Sequence, residues 1–128
     1  MSEKARYLFT ASMDVDPDKE DLFNEVYDTE HVPLLSKVPG VIAVQRLVSQ
    51  PFQVAMGGEL RDVDPSSEPR YTATYEIESP DVLTTPEWAD AVEQGRWPTE
   101  VRPHTRNRRH VLYRIMATDD YTELLTYI

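Results

Sequence analysis

The sequence predicts an α+β protein in which a four-stranded antiparallel sheet carries two helices on one face. Three observations support this prediction. Apolar residues alternate with period two in four segments, helical spacing follows two proline-bearing helix starts, and the element order is β-α-β followed by a second β-α-β. Two split β-α-β units of this kind form a single sheet. The 128 residues are enough for one domain with a core of its own, and we treat residues 1–128 as a single domain.

The first β-α-β unit is predicted from a strand over residues 5 to 13, a helix that starts at Pro17, and a strand over residues 41 to 48. Proline suits the first helical position because the N–H that it lacks has no partner there in any case. A second proline, Pro33, would remove a hydrogen bond from the helix interior. We therefore expect a break or kink in this helix just before Pro33.

Residues 49 to 69 are rich in proline, glycine and serine, which predicts a long loop or a hairpin insertion over residues 52 to 60. Segments of this length in compact domains are often lids, binding loops or interface arms. The second β-α-β unit follows, with a strand over residues 70 to 78, a helix from Pro86 to about residue 94, and a strand over residues 106 to 116. The remaining residues, 117–128, form a weakly patterned C-terminal tail.

The uncovered face of such a sheet is expected to be apolar, which a single copy in water does not tolerate. Packing two sheets face to face solves this problem, so a homodimer is predicted.

Five short segments resemble the sequences of EthD-like proteins. They are FNEVYDTEHVPLL at 23–35, VPGV at 38–41, RYTATYEI at 70–77, SPDV at 79–82 and VLYR at 111–114. The resemblance extends in order over residues 5 to 116 and implies a ferredoxin-like protomer of the dimeric α+β barrel superfamily. Relatives there include cofactor-free oxygenases, polyketide cyclases, decarboxylases and lactone isomerases, as well as proteins with no known reaction, so the resemblance implies a fold more than an activity.

Two departures from the superfamily pattern affect these expectations. The segment 49–69 does not belong to the minimal ferredoxin-like core, so it is free to close or block a pocket. The heme-degrading branch of the superfamily uses an Asn, His and Trp constellation that has no counterpart in this sequence.

Composition argues against several classes of partner. The formal net charge is −10, from 23 acidic and 13 basic residues, so nucleic acid and anionic membranes are poor partners. The absence of cysteine and of a signal-peptide-like apolar run at the N-terminus predicts a cytoplasmic protein. The three histidines lack metal-ligand spacing, and no nucleotide-binding or serine-hydrolase motif is present. We therefore expect no metal and no cofactor.

The strongest candidates for chemistry are Asp28 and His31. If the helix is regular, His31 neighbours both Tyr27 and Asp28, because residues three and four apart share a helix face. A carboxylate beside an imidazole orients it as a general acid or base, which enolisation, isomerisation and decarboxylation require. The alternative is that Asp28 is solvated and that His31 packs in the core and hydrogen-bonds a carbonyl group near Pro33.

Four further side chains are candidates for substrate binding. Tyr27, on the helix beside His31, would help to position the substrate. Arg46, on the second strand, would hold a substrate carboxylate or phenolate bidentately, or would instead pair with one of the many carboxylates of the protein. Tyr75 belongs to an aromatic sheet face, and a buried phenol needs a partner. Trp88 would wall a flat pocket beside that face or simply pack in the core. The basic run from His104 to His110 is expected to pair with carboxylates at the sheet edge or the dimer interface.

These observations leave two functions open. The first is a cofactor-independent acid–base enzyme of the isomerase, cyclase, decarboxylase or oxygenase type, acting on a small aromatic or polyketide-like metabolite. In this enzyme His31 would be the acid or base, which requires that it opens into a cavity between the sheet and the helices. The second is a non-catalytic dimeric protein that binds a small hydrophobic or aromatic ligand in the same pocket.

Overall fold

The computed structural model describes residues 6 to 116. The strands of this part of the chain are β1 (Tyr7–Val15), β2 (Val41–Val48), β3 (Phe52–Met56), β4 (Glu59–Val63), β5 (Tyr71–Ile77) and β6 (Thr105–Arg114). The predicted C-terminal tail at 117–128 lies outside the described residues.

The helical segments alternate with these strands. The α-helices are α1 (Glu20–Val26), α2 (Val32–Ser36) and α3 (Pro86–Val92). Two π-helical segments are Tyr27–His31, which joins α1 to α2, and Trp97–Val101, which follows α3. Short 3-10 helices cover Pro17–Lys19, Pro80–Thr84 and Arg102–His104. No helix within residues 6 to 116 is long and apolar enough to cross a membrane.

The main sheet has the strand order β2–β5–β1–β6, and each neighbouring pair is antiparallel. Ala11, in the middle of β1, lies between Ala73 of β5 and His110 of β6. Strands β1 and β2 come from the first β-α-β unit, yet β5 of the second unit separates them, so the two units interleave. This interleaving is the ferredoxin-like arrangement. The predicted α+β fold class is confirmed.

The segment after β2 forms a separate antiparallel hairpin from β3 and β4. It turns at Gly57 and Gly58, whose φ angles of 64° and 80° fit the tight turns that favour glycine in both central positions. The hairpin insertion is therefore present and extends three residues beyond the predicted end. Phe52 and Leu60 on this hairpin are 50% and 73% exposed.

The core lies between the helices and one face of the main sheet. Alternate residues of β1 and β5 point to this face, including Met13 and Tyr75, each 2% exposed. Phe23 of α1 is fully buried against them. The side chains with the period-two and helical spacing seen in the sequence are the ones that build this core.

The opposite face of the sheet differs from the expected apolar surface. Its centre is occupied by hydroxyl side chains of β1 and β5, and Ser12 and Thr72 hydrogen-bond each other at 2.8 Å between their hydroxyl oxygens. Apolar side chains lie toward the edge strands, where Leu47 and Tyr113 are about half exposed. The expectation is met only in part. Hydroxyl side chains of β1 and β5 occupy the centre of this face, whereas Leu8 and the edge-strand residues Leu47 and Tyr113 are apolar.

Candidate active site

A cavity of about 270 Å³ lies between the core face of the sheet and the helices. Its aromatic wall is formed by Phe9, Tyr27, Tyr75, Trp88 and Trp97. Its nitrogen-bearing side chains are His31, Arg102, Arg108 and His110. The volume is near the lower end of small-molecule sites, which suits a compact ligand of one or two rings.

Two π-helical turns carry three of these side chains, Tyr27, His31 and Trp97. The N–H of Val32 donates to the carbonyl of Tyr27, and the N–H of Arg102 donates to the carbonyl of Trp97. The wider turn before Pro33 accommodates a residue that has no N–H and whose ring would collide with a carbonyl group in a regular α-helix. The break or kink predicted before Pro33 takes the form of this π turn, which separates the end of α1 at Val26 from the start of α2 at Val32.

His31 ends the first π turn and is 5% exposed. Its ring stacks on Trp97, with the ring centroids 4.6 Å apart and the planes at 29°. The Tyr27 ring meets it edge-on at 5.1 Å. The Nδ1 atom of His31 is buried and has no hydrogen-bond partner among the described residues. Buried polar atoms are almost always hydrogen-bonded, so this nitrogen is a candidate contact for a ligand.

The surroundings of His31 keep its imidazole neutral. Burial lowers its pKa to about 4, the positive charges of Arg102 and Arg108 act in the same direction, and the carboxylate of Glu93 opposes them. At neutral pH one ring nitrogen therefore carries a proton and the other carries a lone pair.

Two buried phenols complete the interior of the site. Burial raises the pKa of Tyr27, although its interaction with Tyr75 and the charge of Arg46 partly offset the effect. Burial raises the pKa of Tyr75 well above its usual value, and the neighbouring Tyr27 raises it further. Both side chains are neutral hydroxyl groups at physiological pH, able to donate a hydrogen bond to an oxygen atom that gains negative charge.

Asp28 of the first π turn and Arg46 of β2 contact each other outside the cavity. The Asp28 carboxylate is 63% exposed and accepts a hydrogen bond from Arg46 at 2.8 Å. Arg46 also donates to the Asn24 side chain at 2.9 Å, and its guanidinium lies 4.6 Å from the centre of the Tyr27 ring. Pairing with a carboxylate, one of the two alternatives for Arg46, is the arrangement observed.

The structure therefore divides the predicted site residues into two groups. The cavity is lined by His31, Tyr27, Tyr75 and Trp88. Asp28 and Arg46 are not among the cavity residues, and Asp28 is engaged by Arg46 instead of His31.

Sequence reasoning missed three basic cavity residues, Arg102, Arg108 and His110, of which the last two lie in the run from His104 to His110. This basic run was noticed, but strand alternation divides it between two faces of the sheet. Other members of the run do pair as expected, since both His104 and Arg106 contact the Asp16 carboxylate. The basic run was the only signal in the sequence for Arg108 and His110. Which members of the run point into the cavity depends on how β6 pairs with β1.

Acidic groups are scarce at this site. Within residues 6 to 116, no cluster of three or more histidine, aspartate or glutamate side chains is placed to hold a metal ion. The lining residues in the described part of the chain include no carboxylate. The site thus offers neutral hydrogen-bonding groups and positive charge in an aromatic enclosure.

No protein-family model matches the chain, and no curated protein sequence matches it either. Several solved structures do match. A candidate monooxygenase from Shewanella loihica PV-4 has a TM-score of 0.56 and 15% identity, over 91% of this chain and 100% of that one. An EthD family protein from Bacillus halodurans C-125 has a TM-score of 0.54 and 14% identity, over 88% and 99% of the two chains.

A dimeric ferredoxin-like protein of unknown function from Thermobifida fusca YX is similar with a TM-score of 0.53 and 10% identity, over 90% of this chain and 95% of that one. Identities this low establish a shared fold and leave the activity open. The resemblance to EthD-like proteins is confirmed at the level of the fold, and the chain has the ferredoxin-like α+β architecture of these proteins.

Proposed function

We propose that this protein is an enzyme that uses acid–base chemistry of its own side chains to remove a proton from a small hydroxylated aromatic or polyketide-like substrate. His31 is the acid or base in this proposal. The observation that carries it is the buried, unpartnered Nδ1 atom of His31 in an aromatic cavity. An exposed or fully hydrogen-bonded histidine would offer no such contact to a substrate.

The electrostatics of the cavity favour one kind of proton transfer. A neutral imidazole with a lowered pKa is a weak base, so removing a proton from a phenol or an enol requires that the site also stabilises the anion that forms. Removing that proton creates an oxyanion. In this proposal the hydroxyl groups of Tyr27 and Tyr75 and the positive charge of Arg108 would stabilise the anion, which is supported by all three lining the same cavity.

The similarity to the candidate monooxygenase of Shewanella loihica favours oxygenation as the fate of this anion. Dioxygen would then be the co-substrate and the oxidant: a ring CH2 group becomes a carbonyl group with one oxygen atom, and the other oxygen atom leaves as water with the two hydrogens of that group. Isomerisation, cyclisation and decarboxylation can proceed from the same anion, so the proton transfer is common to all of these reaction types.

A homodimer is part of the proposal. It is supported by the exposed apolar side chains of the β3–β4 hairpin, such as Phe52 and Leu60, and by the printed description of the Thermobifida neighbour as dimeric. Sedimentation velocity tests it directly. A monomer at micromolar concentration would contradict this part of the proposal.

A non-catalytic binding protein is the second candidate, and one observation favours it. Asp28 is bound to Arg46, and no carboxylate in the described part of the chain lines the cavity, so His31 lacks the orienting acid that many catalytic histidines have. This candidate predicts binding of the same ligands without turnover.

The experiment compares wild type with His31→Phe, which keeps a ring against Trp97 but removes both nitrogens. His104→Phe is the matched control, because His104 lies at Asp16 outside the cavity. Each protein is screened by thermal shift against phenols, hydroxylated aromatic acids and quinones, since a ligand of the folded state raises the melting temperature. Dioxygen consumption and products are then measured for each ligand found.

The enzyme proposal expects turnover by wild type and by His104→Phe, and loss of at least about a hundredfold in kcat for His31→Phe, the scale of general acid–base catalysis. Ligands that bind wild type and are recovered unchanged would favour the binding protein. Turnover that survives in His31→Phe would refute the role of His31.

A further inference from the structure

We propose that the substrate of this cavity is an anion, an aromatic or polyketide-like acid whose carboxylate binds Arg108 at the mouth while its hydroxylated ring reaches His31 inside. This inference rests on the proposed function and adds the chemical class of the substrate. It predicts that the carboxylate form of a ligand binds more tightly than its uncharged ester.

A bulge in β6 determines where Arg108 points. Ser12 of β1 pairs with Arg109 and Asp14 pairs with Arg106, so two residues of β6 lie opposite one residue of β1. The extra residue is Asn107, whose φ of 53° lies in the left-handed region that asparagine tolerates better than most residues.

The bulge reverses the alternation of the basic run. Arg106, before the bulge, pairs with Asp16 at the sheet edge, and Arg108, after it, lines the cavity. In a regular strand these two arginines would point to the same face. Bulges often redirect a side chain beside a functional site, which is the effect seen here.

Arg108 has no carboxylate partner within the described residues, unlike Arg102 and Arg106, which pair with Glu93 and Asp16. The contact of its guanidinium there is a hydrogen bond to the Thr105 hydroxyl at 3.2 Å. Arg102, by contrast, is held by Glu93 through hydrogen bonds of 3.0 and 2.6 Å. In a chain with 23 acidic and 13 basic residues, an arginine without a carboxylate at the mouth of a cavity is available for an anionic ligand.

The charge of Arg108 also acts on the interior. It contributes to lowering the pKa of His31, of Tyr27 and of His110, so its field reaches the groups that line the cavity. His110 stacks on Phe9 with centroids 5.8 Å apart, and burial lowers its pKa first, so it adds a neutral ring beside Arg108. An anion at the mouth would meet one fixed positive charge with an aromatic wall behind it.

The two ends of the cavity thus differ in chemistry. The mouth carries a guanidinium, which recognises a carboxylate through two parallel hydrogen bonds. The interior carries the unpartnered His31 nitrogen and two phenols, which recognise a hydroxyl group or its anion. A ligand with a carboxylate at one end and a ring hydroxyl at the other satisfies both.

The test compares 6-hydroxy-2-naphthoate and 4-hydroxybenzoate with their methyl esters, by calorimetric titration of wild type, Arg108→Gln and Arg109→Gln. Arg109 is the matched control because it follows Arg108 in the strand, pairs with Ser12 and is not among the cavity residues. Both variants lose one positive charge, and circular dichroism and melting temperature establish that each is folded.

Wild type is expected to bind at least one of the acids about tenfold or more tightly than its ester, in line with a charge-assisted bidentate contact. Arg108→Gln removes this preference and Arg109→Gln retains it. A preference that survives in Arg108→Gln, or an acid that binds wild type no better than its ester, overturns the inference.

The outcomes separate this inference from the proposed function. If the protein converts an ester and binds the acid no more tightly, the enzyme proposal stands and the inference that the substrate is an anion is refuted. If the acid binds, its binding depends on Arg108, and no product forms, the inference of an anionic ligand is supported and the enzyme proposal is refuted. Absence of binding by both acids to wild type refutes the inference directly.

Discussion

Protonation of His31 should destabilise the folded protein between pH 6.5 and pH 4. The pKa of an exposed histidine is 6.5, and burial lowers that of His31 to about 4. In this interval the unfolded chain binds a proton that the folded protein excludes, so stability falls as pH falls. Above pH 6.5 His31 is neutral in both the folded and the unfolded chain, so the folded protein keeps the full stability that is lost at lower pH.

The size of the effect follows from the difference in pKa. Each unit is worth about 1.36 kcal/mol, so the folded state loses about 3 kcal/mol in all once the pH is below 4. Between pH 7.5 and pH 5 the loss is about 2 kcal/mol. His31 is 5% exposed, so solvent screening reduces this value little.

Urea unfolding of wild type and His31→Phe at pH 7.5 and pH 5 measures this loss. Carboxylates and the other histidines titrate in both proteins, so the difference between them isolates His31. The urea midpoint of wild type should fall by about 1 M more than that of the variant, given the unfolding slope usual for a chain of this size. A titration of the imidazole by NMR gives the pKa itself.

Two results would refute this reasoning. One is an NMR pKa for His31 at or above 6, which would mean that the ring is hydrated or paired with an anion. The other is an equal loss of stability in the two proteins between pH 7.5 and pH 5. Either result would show that burial does not hold the pKa of His31 far below its ordinary value.

Two further predictions concern the framework of the site. Gly95 has φ of 71°, and a β-carbon there would collide with the Glu30 carboxylate, whereas Gly57 has φ of 64° and open space around it. Gly57→Ala should cost about 1 kcal/mol from backbone strain alone. Gly95→Ala should cost more, because the Glu30 carboxylate would have to move away from its hydrogen bonds to Arg96. Urea unfolding measures both costs, and equal costs would contradict the collision. Arg46→Met should lower stability by about 1 to 2 kcal/mol, because it removes the contact with the Tyr27 ring and two hydrogen bonds, while ligand affinity in the cavity stays unchanged. A large loss of affinity in that variant would place Arg46 at the substrate after all.

The sequence by itself predicted the order of elements and the strand faces that build the core. Met13 and Tyr75 are recognisable because period-two alternation is a local property, set by the geometry of an extended chain. The hairpin insertion and the start of α3 at Pro86 follow from glycine and proline, whose conformational limits act on the residues beside them. The interleaving of two β-α-β units follows from their order in the chain.

The composition of the site depended on the tertiary structure. Asp28 and His31 are three residues apart and would be neighbours in a regular α-helix. In a π turn each residue advances less around the helix axis, so Asp28 turns outward to Arg46 while His31 turns inward to Trp97. The choice between the two turns depends on how the helix packs, which a sequence pattern does not record.

The position of Arg108 and the pKa of His31 likewise depend on packing that a sequence pattern does not record. A one-residue bulge at Asn107, fixed by the pairing of β6 with β1, decides which arginine reaches the cavity. The low pKa of His31 comes from burial and from arginines about 70 residues away in the chain. Local patterns identify elements because they depend on neighbouring residues, whereas the site depends on distances between side chains that only the folded chain brings together.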